Sequence, residues 1–450
     1  MPPMIAALFA TGPSYVGARG LPFGRAVRQV LVPTHDRYPR HMQRAESSYL
    51  LLSLNYAPEV TGVAPYSTGL ARGLARRRGK VRVTTTHPHY PDWRVRPGYG
   101  QWVSDERGEG VCVTRLRHYV PSRPTTLKRA LSEATFGIRL ALRPWGRPRA
   151  IVAVSPGLIS SGLARMRSLV THRRVPFVVW VQDLYSLGLS ETGQSGRISA
   201  RAIGGVEGWL LRSASKVVVI HDRFAERVHR DFRVPADRIS VIRNWSHLDT
   251  EEETDGHATR SELGWSDQEI VVLHAGNMGV KQGLANVIDA AKIAQLTDPN
   301  LRFVFLGNGS ERRSLEHAAA DLNNVSFLDP VPEEELIHVL RSADVLLVNE
   351  KQGVSEMAVP SKLTSYFASR RPVLAATDPG GITAEEVRRA GAGVVVDSGD
   401  PEAIVVAARA LGADRESAST FASNGWRFRQ SHLLESSALD KFEDLLSEFC

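Results

Sequence analysis

What most limits how this 450-residue chain can fold is a three-part pattern found in both of its halves: a continuous apolar run, a glycine-bearing loop and an amphipathic stretch. Ser48–Asn55 (SYLLLSLN) enters a loop ending at Gly62, and a helix is expected from there to about Arg78, with Gly79 as its cap. Ile270–His274 enters Ala275–Gly283 (AGNMGVKQG) and then a helix over Leu284–Leu296, and Leu301–Leu306 enters Gly307–Glu311 (GNGSE). Runs apolar at every position suit strands covered on both faces, which means a parallel sheet between helix layers. Parallel neighbours need helical crossovers, so the pattern predicts βαβ units whose loops gather at the carboxyl edge of the sheet.

The same signal recurs at Val81–Thr86, Ala150–Ser155, Pro176–Gln182, Lys216–Ile220 and Ile239–Asn244, and later at Val325–Leu328, Val345–Asn349, Pro372–Ala376 and Gly391–Val396. Between Trp245 and Asp267 the composition turns to Asp, Glu, Thr, Ser and Gly, as in a linker. The expected class is α/β, with two Rossmann-like doubly wound domains facing across a cleft. Residues 47–245 form the first, 246–268 the linker, 269–413 the second, and 414–450 a C-terminal helical segment. Residues 1–46 are rich in Pro, Gly and Arg and are expected to be a disordered basic extension, or to lie upstream of a true start at Met42.

Charge narrows the partners. A net charge of +8 with a pI near 9.6 favours anionic partners, and with no nucleic-acid module in view these are phosphorylated substrates or a membrane surface. No run of 18 apolar residues exists, and the two cysteines, Cys112 and Cys450, have no metal-ligand spacing and suit a reducing cytosol. Seven basic residues against the single acid Glu133 lie between Arg123 and Arg149. A basic amphipathic helix over 127–149 suits an anionic bilayer, or else a helix packed on its own domain with a solvated basic rim.

Several residues stand where chemistry is expected. In Glu356–Ala376 (EMAVPSKLTSYFASRRPVLAA), Pro360 and Ser361 open a helix whose apolar face is Leu363, Tyr366 and Phe367. Lys362 in its first turn opposes the helix dipole by ~0.3–1 kcal/mol, a conflict that a bound phosphate would remove. The alternative is a solvated lysine on an ordinary amphipathic helix. Glycines at 276 and 279 let backbone N–H groups approach a phosphate, with Lys281 beside them. Asp183 follows a strand end and either orients an acceptor or caps the next helix. His87 and His89 lie in an aromatic loop at another strand end, where loop structure is the commoner role.

The order of these motifs resembles the GT-B, family-4 type retaining glycosyltransferases, nearest to those of colanic-acid and exopolysaccharide biosynthesis. The matching residues are Asn55–Gly62 with Tyr66, Val181–Tyr185, Val241–Trp245, Gly276–Gly283, Gly307–Gly309, and Pro360–Lys362 through Arg371 and Pro372. The resemblance implies a second domain that binds a nucleoside-diphosphate sugar, a first domain that receives the acceptor, a last helix crossing back to the first domain, and no cofactor or metal. On it, catalysis falls to Asp183, Lys281, Lys362 and Glu356. Donor contacts fall to Gly62, Arg243, Asn244, Gly276, Asn277, Gly279, Gln282, Gly307, Ser361, Leu363 and Ser365, and acceptor contacts to Tyr66, His87 and His89. Two departures stand out. Asn277 and Gln282 occupy places where the family commonly has Arg and Lys, and Ser365 replaces its ribose-binding glutamate.

The expected function is transfer of a sugar to a polyprenyl-diphosphate-linked or other saccharide acceptor, in the cytoplasm or at the inner membrane face. The alternatives are a nucleotide-sugar 2-epimerase on the same fold and a non-catalytic nucleotide-sugar-binding protein. The sequence does not give the oligomeric state, the donor sugar or the base.

Overall fold

The computed structural model describes residues 48–60, 62–186, 197–246, 248, 256–353 and 361–449. The expected extension at 1–46 and Glu356 lie outside them, as does most of the charged part of the linker.

The first sheet contains β1 (Ser48–Leu52), β2 (Val81–Thr86), β3 (Val103–Gly108), β4 (Val111–Leu116), β5 (Pro148–Ser155), β6 (Phe177–Val181), β7 (Lys216–Val219) and β8 (Ile239–Val241). Their spatial order is β3-β4-β2-β1-β5-β6-β7-β8, parallel except for β3 against β4. The second contains β9 (Ile270–Ala275), β10 (Leu301–Leu306), β11 (Val325–Leu328), β12 (Val345–Asn349), β13 (Val373–Thr377) and β14 (Gly393–Asp397). Its order is β11-β10-β9-β12-β13-β14, all parallel. The central strands are buried on both faces, as all-apolar runs require: Phe177–Val181 and Val345–Val348 are at most 2 % exposed.

The β3–β4 hairpin was not foreseen. β3 reads VSDERG, and most of its side chains reach solvent. An edge strand with a wet face carries no continuous apolar signal.

Each sheet reverses its winding direction once, between β1 and β5 in the first and between β9 and β12 in the second. Crossovers diverge to either side there, leaving a crevice beyond the strands' carboxyl ends where doubly wound folds take ligands.

The C-terminal helix Glu435–Ser447 returns to the first sheet, as expected. Its Ala438, Leu439, Phe442 and Leu446 join the core beneath the helix Ala64–Arg78. The two helices touch closely: a Cβ on Gly73 would fall 2.4 Å from Leu439 Cδ1. Arg77 reaches Asp440 (2.5 Å) and Glu443 (3.1 Å), and Arg78 reaches Glu443 (2.7 Å), along the exposed rim. Burial of Phe442 and Leu446 contributes about 2 kcal/mol each and outweighs these rim pairs, each worth below ~1 kcal/mol.

Candidate active site at the crevice of the second sheet

The crevice beyond β9 and β12 is built by two glycine loops and one helix. Gly276 leaves β9 at φ +124°, and Gly307 leaves β10 at φ +132°. A Cβ on Gly307 would lie 2.1 Å from the Gly276 carbonyl oxygen, and one on Gly309 would lie 2.3 Å from the Met278 carbonyl oxygen. Only glycine permits this nesting. It is held by Gly276 N donating to Leu306 O (2.8 Å) and Met278 N donating to Asn308 O (2.9 Å).

The helix Ser361–Ser369 enters from the β12–β13 connection, and its first turn carries Lys362. The apolar face expected from Leu363, Tyr366 and Phe367 is buried, and Ala275 N donates to the Tyr366 hydroxyl (2.9 Å), tying the helix to β9. Lys362 is thereby laid along Gly276, with its Cε 3.0 Å from where a Cβ of the glycine would stand. Among the described residues its ammonium has no hydrogen-bond partner. Burial pushes its pKa down to about 8, and the charge of nearby Glu350 partly opposes that shift. Beneath it, burial and the Lys362 charge hold His274 down at about 3, a neutral imidazole.

Glu350 went unnoticed in the sequence. It follows β12 directly, at the switch point. Its carboxylate accepts from Thr383 Oγ1 (2.6 Å) and from Thr377 Oγ1, and its pKa is raised, chiefly by burial. The signal was an acid closing an apolar strand, but which strands flank the crevice is invisible without their order. Its neighbour Asn349 donates to the carbonyls of Gln282 (2.7 Å) and Gly283 (3.0 Å), clamping the end of the first glycine loop.

The expected donor residues divide. Gly276, Asn277, Gly279, Lys281, Gln282, Gly307, Ser361, Lys362, Leu363 and Ser365 lie on the loops and helix of this crevice. Asn277, Lys281 and Ser361 are exposed, whereas Leu363 is core. Gln282 is used internally, its Oε1 accepting from Gly279 N (3.1 Å). Gly62, at φ +65°, follows β1 of the first sheet and packs near Tyr90.

Arg243 is committed elsewhere. It pairs with Asp222 (2.8 Å) and with Glu386 (2.8 Å), which also meets His221 Nε2 (3.1 Å). Together with Arg223–Glu385 (2.5 Å) and Arg389–Asp222 (2.7 Å), these pairs join the first sheet's helix Asp222–Arg230 to the second's helix Ile382–Ala390. Asn244 exchanges two amide hydrogen bonds with Gln182 (2.7 and 3.1 Å).

On the acceptor side, Tyr66 is buried edge-on against Trp245 at 5.5 Å and shares a hydrogen bond with Thr364, two residues from Lys362. His87 and His89 are also buried. His87 Nε2 meets Gln101 O (2.8 Å), and His89 Nδ1 meets His87 O (3.0 Å). The organiser of their loop is Glu59, which accepts from His89 N (2.7 Å), Tyr90 N (2.8 Å) and Asn55 Nδ2 (2.8 Å). Asp183 is half-buried after β6, and its carbonyl accepts from Ser155 Oγ (3.2 Å). Among the described residues no group of three or more His, Cys, Asp or Glu could hold a metal ion.

Residues 61–245 match the Glycosyl transferase 4-like domain family, and residues 256–428 match the Glycosyl transferases group 1 family. The putative colanic acid biosynthesis glycosyl transferase WcaI of Escherichia coli is 30% identical over 334 residues, covering 71% of this chain and 80% of that protein. A D-inositol 3-phosphate glycosyltransferase of Nocardia farcinica is 29% identical over 237 residues, half of each chain. Among solved structures, sucrose-phosphate synthase from Thermosynechococcus elongatus superposes with a TM-score of 0.71 at 18% identity, over 90% of this chain and 99% of that one. Anabaena HepE in complex with UDP-glucose gives 0.66 at 16%, over 90% and 100%. At such identities these two likenesses speak for the fold alone. The two-sheet architecture, the paired domain matches and the extent of the WcaI likeness together establish that this chain belongs to the GT-B glycosyltransferases with family-4 type domains.

Proposed function

We propose that the chain transfers a sugar from a nucleoside-diphosphate sugar to a lipid-linked saccharide acceptor during exopolysaccharide or cell-surface polysaccharide biosynthesis, with retention at the anomeric carbon and without a metal. The observation that carries this reading is Lys362: a cation pressed against the Gly276 loop with no hydrogen-bond partner among the described residues. A diphosphate seated on that loop would meet the first turn of a helix and the Lys362 ammonium together. Preorganised donors of this kind stabilise a leaving diphosphate, and removing one costs ~10²–10³ in rate.

In the proposed step the bond from the anomeric carbon to the diphosphate oxygen breaks as the bond to the acceptor oxygen forms on the same face. The acceptor's proton passes to the departing diphosphate or to Asp183. Lys281 assists with the diphosphate charge. The WcaI likeness supports the polysaccharide context.

The helix Thr126–Leu142 supports an acceptor at the inner membrane face. Leu127 and Leu142 are about 80% exposed on it, beside exposed Lys128 and Arg129, and Val170 on the adjoining helix Leu158–Thr171 is 77% exposed. Apolar side chains ringed by cations fit an anionic bilayer surface. No helix of the described residues is long and apolar enough to cross a membrane.

The test is a metal-free thermal-shift screen with UDP, GDP, ADP, TDP and their sugars. A ligand at a hundred times its dissociation constant adds about 2.7 kcal/mol of stability. A shift with one nucleotide, lost in Lys362→Ala, is expected. No shift with any would sink the donor-site reading.

A further inference from the structure

We propose that the cleft at the opposite, amino edge of the second sheet is a separate binding site for a small phosphorylated ligand. This cleft of about 850 Å³ lies among Ile270, Asp344 and Pro372, at the starts of β9, β12 and β13, and the helices Pro401–Ala413 and Arg415–His432. Gly276 and Glu350 stand at the other ends of β9 and β12, so the two sites share no residue.

The lining charges are unbalanced. Its acids are already engaged: Glu269 with Arg302 (2.8 Å), Asp344 with Arg260 (3.0 Å) and Val271 N (2.8 Å), and Asp267 with Arg260 (3.8 Å). Neither Arg260 nor Arg302 lines the cleft. Its own arginines, Arg370, Arg371, Arg415 and Arg427, make no ion pair among the described residues. Burial lowers the pKa of Arg371 and of the adjacent Arg341 and Arg429; the Asp344 carboxylate opposes that shift at Arg371, and the charge of neighbouring arginines adds to it at all three. A bound anion would relieve this repulsion.

The cations are also held in place. Arg370 adopts φ +57°, uncommon for a residue with a Cβ, and its guanidinium lies 4.1 Å from the Trp426 ring, with Arg429 4.9 Å from the same ring. Arg371 Nε donates to the Arg341 carbonyl (2.7 Å), and Arg427 Nη2 donates to Asn424 Oδ1 (2.5 Å). Planar guanidinium groups with spare N–H donors match phosphate oxygens two at a time. The volume is that of a small-molecule pocket. A free phosphorylated metabolite is the occupant the geometry favours. A phospholipid headgroup offers the same chemistry and is separated by the experiment.

The full chain carrying Lys362→Ala, which weakens the donor crevice, is titrated calorimetrically with inorganic pyrophosphate at low salt. Binding is expected, and adding Arg415→Glu and Arg427→Glu, both exposed, should weaken it at least tenfold with the thermal melt unchanged. No binding, or weakening below tenfold, overturns the proposal. A parallel flotation uses phosphatidylglycerol vesicles. If the charge reversals release the protein from vesicles while pyrophosphate still binds as before, the cleft takes lipid headgroups and the proposal fails.

Discussion

Lys362 and Gly276 are in van der Waals contact, so close that a Cβ on the glycine would stand 3.0 Å from Lys362 Cε. This contact aims the ammonium at the loop that leaves β9. Without the lysine the loop keeps its own hydrogen bonds to β10 and its clamp from Asn349. Lys362→Ala should therefore lower turnover ~10²–10³-fold. It should also melt at or above the wild-type temperature, since an ammonium whose pKa burial depresses costs stability at neutral pH. Unchanged turnover in a folded variant would remove Lys362 from the mechanism.

Its titration gives a second expectation. With a folded-state pKa near 8, Lys362 loses its proton as pH rises through 8, and kcat/KM should fall along that limb. A bound diphosphate raises the pKa again, so binding near pH 8.5 should take up protons, measurable by calorimetry in buffers of different ionisation enthalpy. Glu350 supports the charged form, so Glu350→Gln should move the alkaline limb to lower pH. An unmoved limb would show that Glu350 does not act through Lys362. The stability sign runs the other way. Between about 8 and the ordinary lysine value of 10.5 the unfolded chain holds the extra proton, so this group's contribution to stability rises with pH there.

Gly307→Ala tests the nested loops. At φ +132°, with a Cβ only 2.1 Å from the Gly276 carbonyl oxygen, any side chain forces the two loops apart. A loss of about 1–3 kcal/mol in urea melts is expected from strain alone. Donor affinity should fall with it, because Gly276 moves. A variant with wild-type stability would mean that the loops do not pack this closely in solution.

The ion pairs between the two halves predict a third kind of effect. Glu386 is 3% exposed and touches both His221 and Arg243, so Glu386→Gln leaves the buried Arg243 guanidinium poorly matched and should cost ~3–5 kcal/mol. Burial opposes ionisation of Glu386, but the hydrogen bond from His221 and the Arg243 charge outweigh it and hold its pKa below the ordinary 4.5. Its contribution is therefore present above pH 4.5 and lost as pH falls through the lower folded value. Wild-type and variant stabilities measured by denaturant melts should converge in acid. Parallel curves down to pH 3 would exclude this role.

Much of this protein can be read from local pattern. All-apolar runs such as Val345–Asn349 and Phe177–Val181 reveal strands buried on both faces, because a covered strand has no wet side to mark. Glycine after a strand marks a loop that departs where a Cβ cannot go, as at Gly276 and Gly307. These signals depend only on near neighbours in the chain, and so the βα repeat, the two halves and the Lys362 helix were legible without coordinates. Strand order is different, because it depends on how distant segments pack. That order makes β9 and β12 neighbours at the reversal of winding and so brings Glu350 and Asn349 to the glycine loop. Packing between the halves likewise engages Arg243 with Glu386 and turns Tyr66 inward to Thr364. A side chain's role there is set by the charges and surfaces that meet it from elsewhere in the chain, and only the tertiary structure decides which those are.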